Sequence, residues 1–181
     1  MIFQRFRNQS PIKLIQRLLF ATRVRSEHYR LFGDEYKLIG VYETHNDITN
    51  EGKNDILAVY FKDGTQTAST SWYIGLISLA GYTSLAPTDV MNSHAGWAEF
   101  VGYTQSTRPA WGPGTPASQT ITNATAVQFD INAAGTIKGI FITTNNTKSG
   151  TTGKLWATAL YTGDVPVAIG DQIRTTYTLS C

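Results

Sequence analysis

The sequence predicts an all-β fold, an antiparallel β-sandwich or jelly-roll, carrying a basic N-terminal arm and one short helix. Three observations predict it. In the second half of the chain, five segments rich in Val, Ile, Thr, Phe, Tyr and Trp alternate with Gly, Asn and Ser turn signals at sandwich-like spacing. Charged residues make up only 15% of the 181, against about 25% in an average soluble domain. Thr, Ser, Asn and Gly take their place, and Thr in particular suits the solvent side of a strand. The third observation is charge asymmetry. Residues 1–30 hold seven basic side chains against Glu27 alone, whereas the remainder holds 8 basic and 12 acidic ones. A cationic leading segment on a mildly acidic body reads as an interaction arm.

Taken in order, residues 1–33 are the expected arm and 34–181 the expected body. Pro11 can open a helix at its first turn, and Ile12, Ile15, Leu18 and Leu19 then form a stripe, with Lys13 and Arg17 off it. The flanks FQRFRNQS and RVRSEHYR read as extended. Lys13 and Arg17 interrupt the apolar run, which excludes a membrane span near the N-terminus and a signal peptide. The chain is therefore expected in the cytoplasm where it is made. YKLIGVYE (36–43) alternates as a strand. Thr49 or Asn50 is a candidate N-cap with Glu51 in the first turn, and Ile56, Leu57, Val59, Tyr60 and Phe61 are expected to be the buried face of that helix. WYIGLI (72–77) is a buried-strand candidate.

The all-β zone comprises WAEFVGY (97–103), ATAVQFDI (124–131), TIKGIFITT (136–144), KLWATALY (154–161) and DQIRTTYTL (171–179). Ala134-Gly135, the 149–153 stretch and Gly163-Asp164 stand as hairpin-like separators. Residues 104–118, TQSTRPAWGPGTPAS, are an expected surface loop, because Pro109, Pro113 and Pro116 remove donors.

Catalytic templates fail on spacing. His28, His45 and His94 have no partner at i+3 or i+4, and the single cysteine, Cys181, is terminal, so no zinc quartet can be drawn. That thiol could at most bridge two chains. No phosphate-cradling loop, dinucleotide fingerprint or nucleophile elbow is present. The best enzyme-like grouping is Asp89, Ser93, His94 and Glu99, whose plainer reading is a turn anchored by His94. Asp130 and Asp164 could form a glycosidase-like carboxylate pair or be simple turn residues. No catalytic residue, cofactor or metal is expected. Trp72, Trp97 and Trp156 lie within apolar strands and read as core. Trp111 could fold over the sandwich rim, insert into a neighbouring subunit, or stack on a sugar. The arm's Arg5, Arg7, Lys13, Arg17, Arg23 and Arg25, with Trp111, are the expected partner-binding residues. The acidic body argues against specific nucleic-acid readout.

NDITNEGKNDILAVYF, SWYIGLIS, DVMNSHAGWAEFVGYTQSTRPAWGPG, ITNATAVQFDINAAGTIKGIFITTNNTKSGTTGKLWATALY and GDQIRTTYTL together resemble a family of uncharacterised phage virion proteins encoded near the major capsid gene. The resemblance covers about three quarters of the chain, from residue 46 onward. It implies a non-enzymatic virion component, a decoration or cement protein of the head. The expected partners are the major capsid protein and neighbouring copies of the chain, as a dimer or trimer. A tail or head-fibre protein that binds host glycan through 104–118 is the alternative. Residues 1–35 fall outside the resemblance, so it says nothing of the arm's target.

Overall fold

A strand can bury a face only if that face is apolar or its polar groups find partners inside. Both solutions occur in the computed structural model, which describes residues 21–181. Two five-stranded antiparallel sheets stack as a sandwich. The first contains β1 (Ala21–Phe32), β2 (Glu35–Thr44), β6 (Thr120–Thr122), β7 (Val127–Asp130) and β10 (Gln172–Ser180). Its order is β2-β1-β10-β6, with β7 also paired to β10. The second sheet runs β3-β9-β8-β4-β5, from β3 (Asp47–Ile48), β9 (Leu155–Val167), β8 (Gly135–Thr143), β4 (Tyr73–Ser78) and β5 (Glu99–Phe100). This order establishes the sandwich and not its jelly-roll form. One helix, α1 (Asn50–Phe61), follows β3.

The main core fills the space between the sheets with Val24, Ile74, Leu76, Phe129, Ile137, Ile140, Ile142, Ile173 and Tyr177. The second sheet is buried on its outer face as well. There the excursion 79–98 returns over it, so that Met91 and Trp97 pack on Ile77, Phe141 and Leu155. This double burial explains why β4 reads as an unbroken apolar run rather than an alternation.

β1 corrects the expected boundary between arm and body at residue 33. It lies between β2 and β10, pairing from Ala21 opposite Ser180 to Tyr29 opposite Gln172 on one side and with β2 on the other. Thr22, Val24, Ser26 and His28 point into the sandwich and are buried. Residues 21–32 therefore belong to the body. The expected helix with its Ile12, Ile15, Leu18 and Leu19 stripe, and Arg5, Arg7, Lys13 and Arg17, lie outside the described residues.

The strands expected at 36–43, 72–77, 136–144, 154–161 and 171–179 are all present within a few residues of those limits. Three expectations need correction. WAEFVGY supplies only the two residues of β5. Gly163-Asp164 is no hairpin turn, because β9 continues through it to Val167 and absorbs the extra residues as an irregularity opposite β8. Ala134-Gly135 joins β7 to β8, which lie in different sheets, so it is a crossing between layers.

Helix α1 starts as its cap predicts. The Thr49 hydroxyl accepts the Gly52 amide, with Glu51 in the first turn. Its expected buried face is instead mostly outside: Leu57, Tyr60 and Phe61 are 55%, 77% and 81% exposed. The helix sits on the body through Gly52, where an added Cβ would lie 2.3 Å from the Trp156 carbonyl oxygen. Ala normally exceeds Gly in a helix interior by about 1 kcal/mol. Here Gly52→Ala should lower the melting temperature, and a raised one would contradict this seating.

Candidate functional site

The groupings singled out in the sequence resolve into scaffolding. Asp89 Oδ2 accepts the Trp97 indole N–H at 2.9 Å and the Ala86 amide at 3.0 Å. His94 stacks on the Trp97 ring with centroids 3.9 Å apart, and its Nδ1 lies 3.1 Å from the Trp97 carbonyl. Ser93 bridges to Val90 as the expected turn. Glu99 faces elsewhere, toward Arg108, so the four residues do not converge. Asp130 accepts from Gln105, Gln128 and Gln172, each at 2.8 Å. Asp164 pairs with Lys138 at 2.6 Å. The two carboxylates serve different neighbours and do not form a pair.

Trp111 is buried. Its indole N–H donates to the Tyr177 carbonyl at 3.2 Å, and its ring meets Tyr177 edge-on at 5.2 Å. Residues 104–118 carry no regular strand, as their prolines require, but they are pinned across the sandwich end by bridges from Ala110 to Tyr73 and from Pro113 to Asn123. Trp111 therefore closes the core and is not available to a sugar or to a neighbouring subunit. Of the expected arm residues, Arg23 and Arg25 lie on the outward face of β1. They pair with Glu43 at 2.7 and 3.4 Å, and Arg25 also with Glu27 at 2.6 Å.

Two buried ionic centres were not legible in the sequence. Arg108 is 1% exposed and holds Glu99 in a fork, Nε to Oε1 and an η-nitrogen to Oε2, both at 2.9 Å. Its other donors reach the Asn145 carbonyl at 2.8 Å and that of Gly150 at 3.2 Å. Glu99 also accepts the Ser149 amide at 2.6 Å. The pair thus ties the 104–118 loop to the β8–β9 hairpin, and a buried pair with every lone pair used is tolerable where a half-satisfied one is not.

The second centre is Asp171. His28 Nε2 lies 2.7 Å from Oδ2, Arg30 donates at 2.8 and 2.7 Å, and the Ala168 amide donates at 2.8 Å. Burial alone would raise this carboxyl, but hydrogen bonds from Arg30, the Ala168 amide and His28 outweigh it and hold it at about 2. The signal that could have revealed both centres is a lone Arg within a Pro-rich loop and a His two residues from an Arg on a polar strand.

Several large apolar side chains remain outside. The β1–β2 hairpin projects past the sandwich, exposed from Leu31 to Ile39. Cross-strand partners Leu31 and Tyr36, Tyr29 and Leu38, and Glu27 and Val41 share its outward face. Leu31, Tyr36, Leu38 and Val41 on that face are all exposed, with Arg25, Glu27 and Glu43 beside them. Two shallow grooves of about 380 and 410 Å³ flank His45, the first lined by Arg23, Glu43 and two Thr, the second by Asp47 with a mixture of Thr, Ser and apolar residues. Among the described residues no three His, Cys, Asp or Glu side chains gather as metal ligands, and no helix is long and apolar enough to cross a membrane. Neither a scan of protein-family models nor a search of curated proteins finds a match to the chain.

Three outcomes follow from these placements. Trp111→Ala should cost about 3–5 kcal/mol of stability, as for a buried aromatic, and an unchanged denaturation midpoint would place Trp111 outside. Glu99→Gln should cost about 3–5 kcal/mol by stranding Arg108, read by the same melt. Asp171 titrates lower when folded than the usual carboxylate, near 3.9, so its stabilisation is complete above that value and disappears as pH falls toward 2. Asp171→Asn should therefore be less stable than the parent at pH 6, and the difference should shrink at pH 2.

Proposed function

We propose that the chain is a non-catalytic structural protein of a bacteriophage virion, a decoration or cement protein that binds the head lattice. The observation that carries this reading is the division of labour in the surface. The body's buried charges are consumed by one another, while large apolar side chains stand free on a projecting hairpin. A monomer gains nothing by exposing Leu31, Tyr36, Leu38 and Val41 together, and such clusters mark protein interfaces. The phage-head setting itself comes from the sequence blocks that resemble head-gene neighbours.

In this reading the docking segment is residues 1–20, shorter than the first 33, with the hairpin as a second point of attachment. Two weak attachments per copy gain through effective concentration on a repeating shell. The basic residues Arg5, Arg7, Lys13 and Arg17 would be steered to an acidic capsid surface. Arg23 and Arg25 act within β1, with their charge already shared with Glu43 and Glu27.

Heads of the phage that encodes the chain, stripped of it and re-incubated with purified protein, test the reading. The parent chain should restore occupancy. A variant with Arg5, Arg7, Lys13 and Arg17 changed to Ala, and one carrying Leu38→Glu, should each bind at least about tenfold more weakly. Full occupancy by both variants, or location of the chain on the tail, would sink it.

A further inference from the structure

The ridge on α1 has the geometry of an unfilled helix-packing surface. Leu57, Tyr60 and Phe61 stand at i, i+3 and i+4, one above the other on the side away from the body. The opposite side is committed. Gly52 lies against Trp156, the Glu51 carboxylate accepts the Leu155 amide at 2.7 Å, and Asp55 pairs with Lys154. Three large side chains, the most exposed at 81%, thus face outward from a helix that is already anchored.

The sequence contains one segment with the complementary pattern, the stripe Ile12, Ile15, Leu18 and Leu19, with Lys13 and Arg17 off it. The structure fixes where that segment joins the body. Ala21 opens β1 opposite Ser180, and the Thr22 hydroxyl donates to the Asn46 carbonyl at 3.0 Å, three residues before the Thr49 cap of α1. The stripe therefore attaches at the end of the sandwich that carries the start of α1. Only Phe20 lies between Leu19 and the strand. Reversing the chain onto its own helix would ordinarily take a connection of about 2–6 residues. With one residue between the stripe and the strand, that turn is shorter than usual, and packing on a second copy's ridge needs no such turn. Exchange of an identical element between copies needs no second surface to be built.

We propose that residues 12–19 of one copy pack on the Leu57, Tyr60 and Phe61 ridge of a second copy, so that this chain self-associates by exchanging its N-terminal segment. This goes beyond the head-binding reading and does not depend on it, because it concerns the purified chain alone.

Two full-length variants test it. Ile15→Glu/Leu18→Glu spoils the stripe and keeps the ridge, whereas Tyr60→Glu/Phe61→Glu spoils the ridge and keeps the stripe. In sedimentation velocity the parent should run as two or more copies of 19.9 kDa. Each variant alone should dissociate at least about tenfold more readily. An equimolar mixture should recover a one-to-one complex, since one variant supplies the stripe and the other the ridge. Near-ultraviolet circular dichroism of the buried tryptophans checks that both are folded, and Leu57→Glu replaces the ridge variant if it is not. A monomeric parent overturns the proposal. So does a mixture that stays monomeric, which would place the stripe on its own chain or on a foreign partner, or a ridge variant that associates as the parent does.

Discussion

β1 is a central strand whose inner face is mostly polar, and the sandwich closes only because every group on that face is met. Thr22 bonds the Asn46 carbonyl, Ser26 lies 2.6 Å from the Tyr161 hydroxyl and 2.8 Å from that of Thr175, and His28 reaches Asp171. Asn46 in turn donates to the Tyr177 hydroxyl at 2.7 Å. Burial holds the Tyr161 proton up to about 12, and pushes Tyr177 upward too, so both phenols remain neutral partners. This seam joins β1 to β10 within its sheet and to β9 across the core. Unpaired, each of those groups would oppose folding by about 1–3 kcal/mol. Paired, they fix the register, because a one-residue slip would turn Arg23, Arg25 and Glu27 inward.

The same seam explains what the sequence concealed. A strand is read from alternating apolar residues, and of the inward side chains on β1 only Val24 is apolar. RVRSEHYR therefore looked like an extended basic arm, and the body was expected to begin too late. β4, β8 and β10 were legible because their buried residues are mostly Ile, Leu, Phe and Tyr. The cap of α1 was legible for a local reason, a Thr hydroxyl one residue before the first turn. Its exposed ridge was not, since periodicity shows that a stripe exists and never which body covers it. The same holds for Trp111: the prolines around it correctly forbade regular structure, but an irregular segment can still lay an aromatic ring into the core. Arg108 and Glu99 sit nine residues apart, and only the folded loop brings them together.

The surface divides along the same line. Where the body meets itself, most polar groups are matched, Asn46 Oδ1 and Arg174 Nε being the exceptions; on the β1–β2 hairpin and on α1 the exposed apolar groups are large and clustered. A mid-hairpin irregularity near Ile39 interrupts the register of the edge strand β2. Such irregularities discourage indiscriminate edge pairing, leaving side chains rather than free backbone as the means of contact. That is the surface expected of a body that works by being placed among neighbours.

The central claim is that residues 21–32 are a strand of the body and not part of a docking arm. Amide hydrogen exchange of the intact chain tests it most directly. The amides of Val24, Ser26 and His28 should exchange as slowly as those of β8 and β9, through global unfolding alone. Exchange of 21–32 at the rate of an unstructured peptide, with β8 and β9 still protected, would contradict the account.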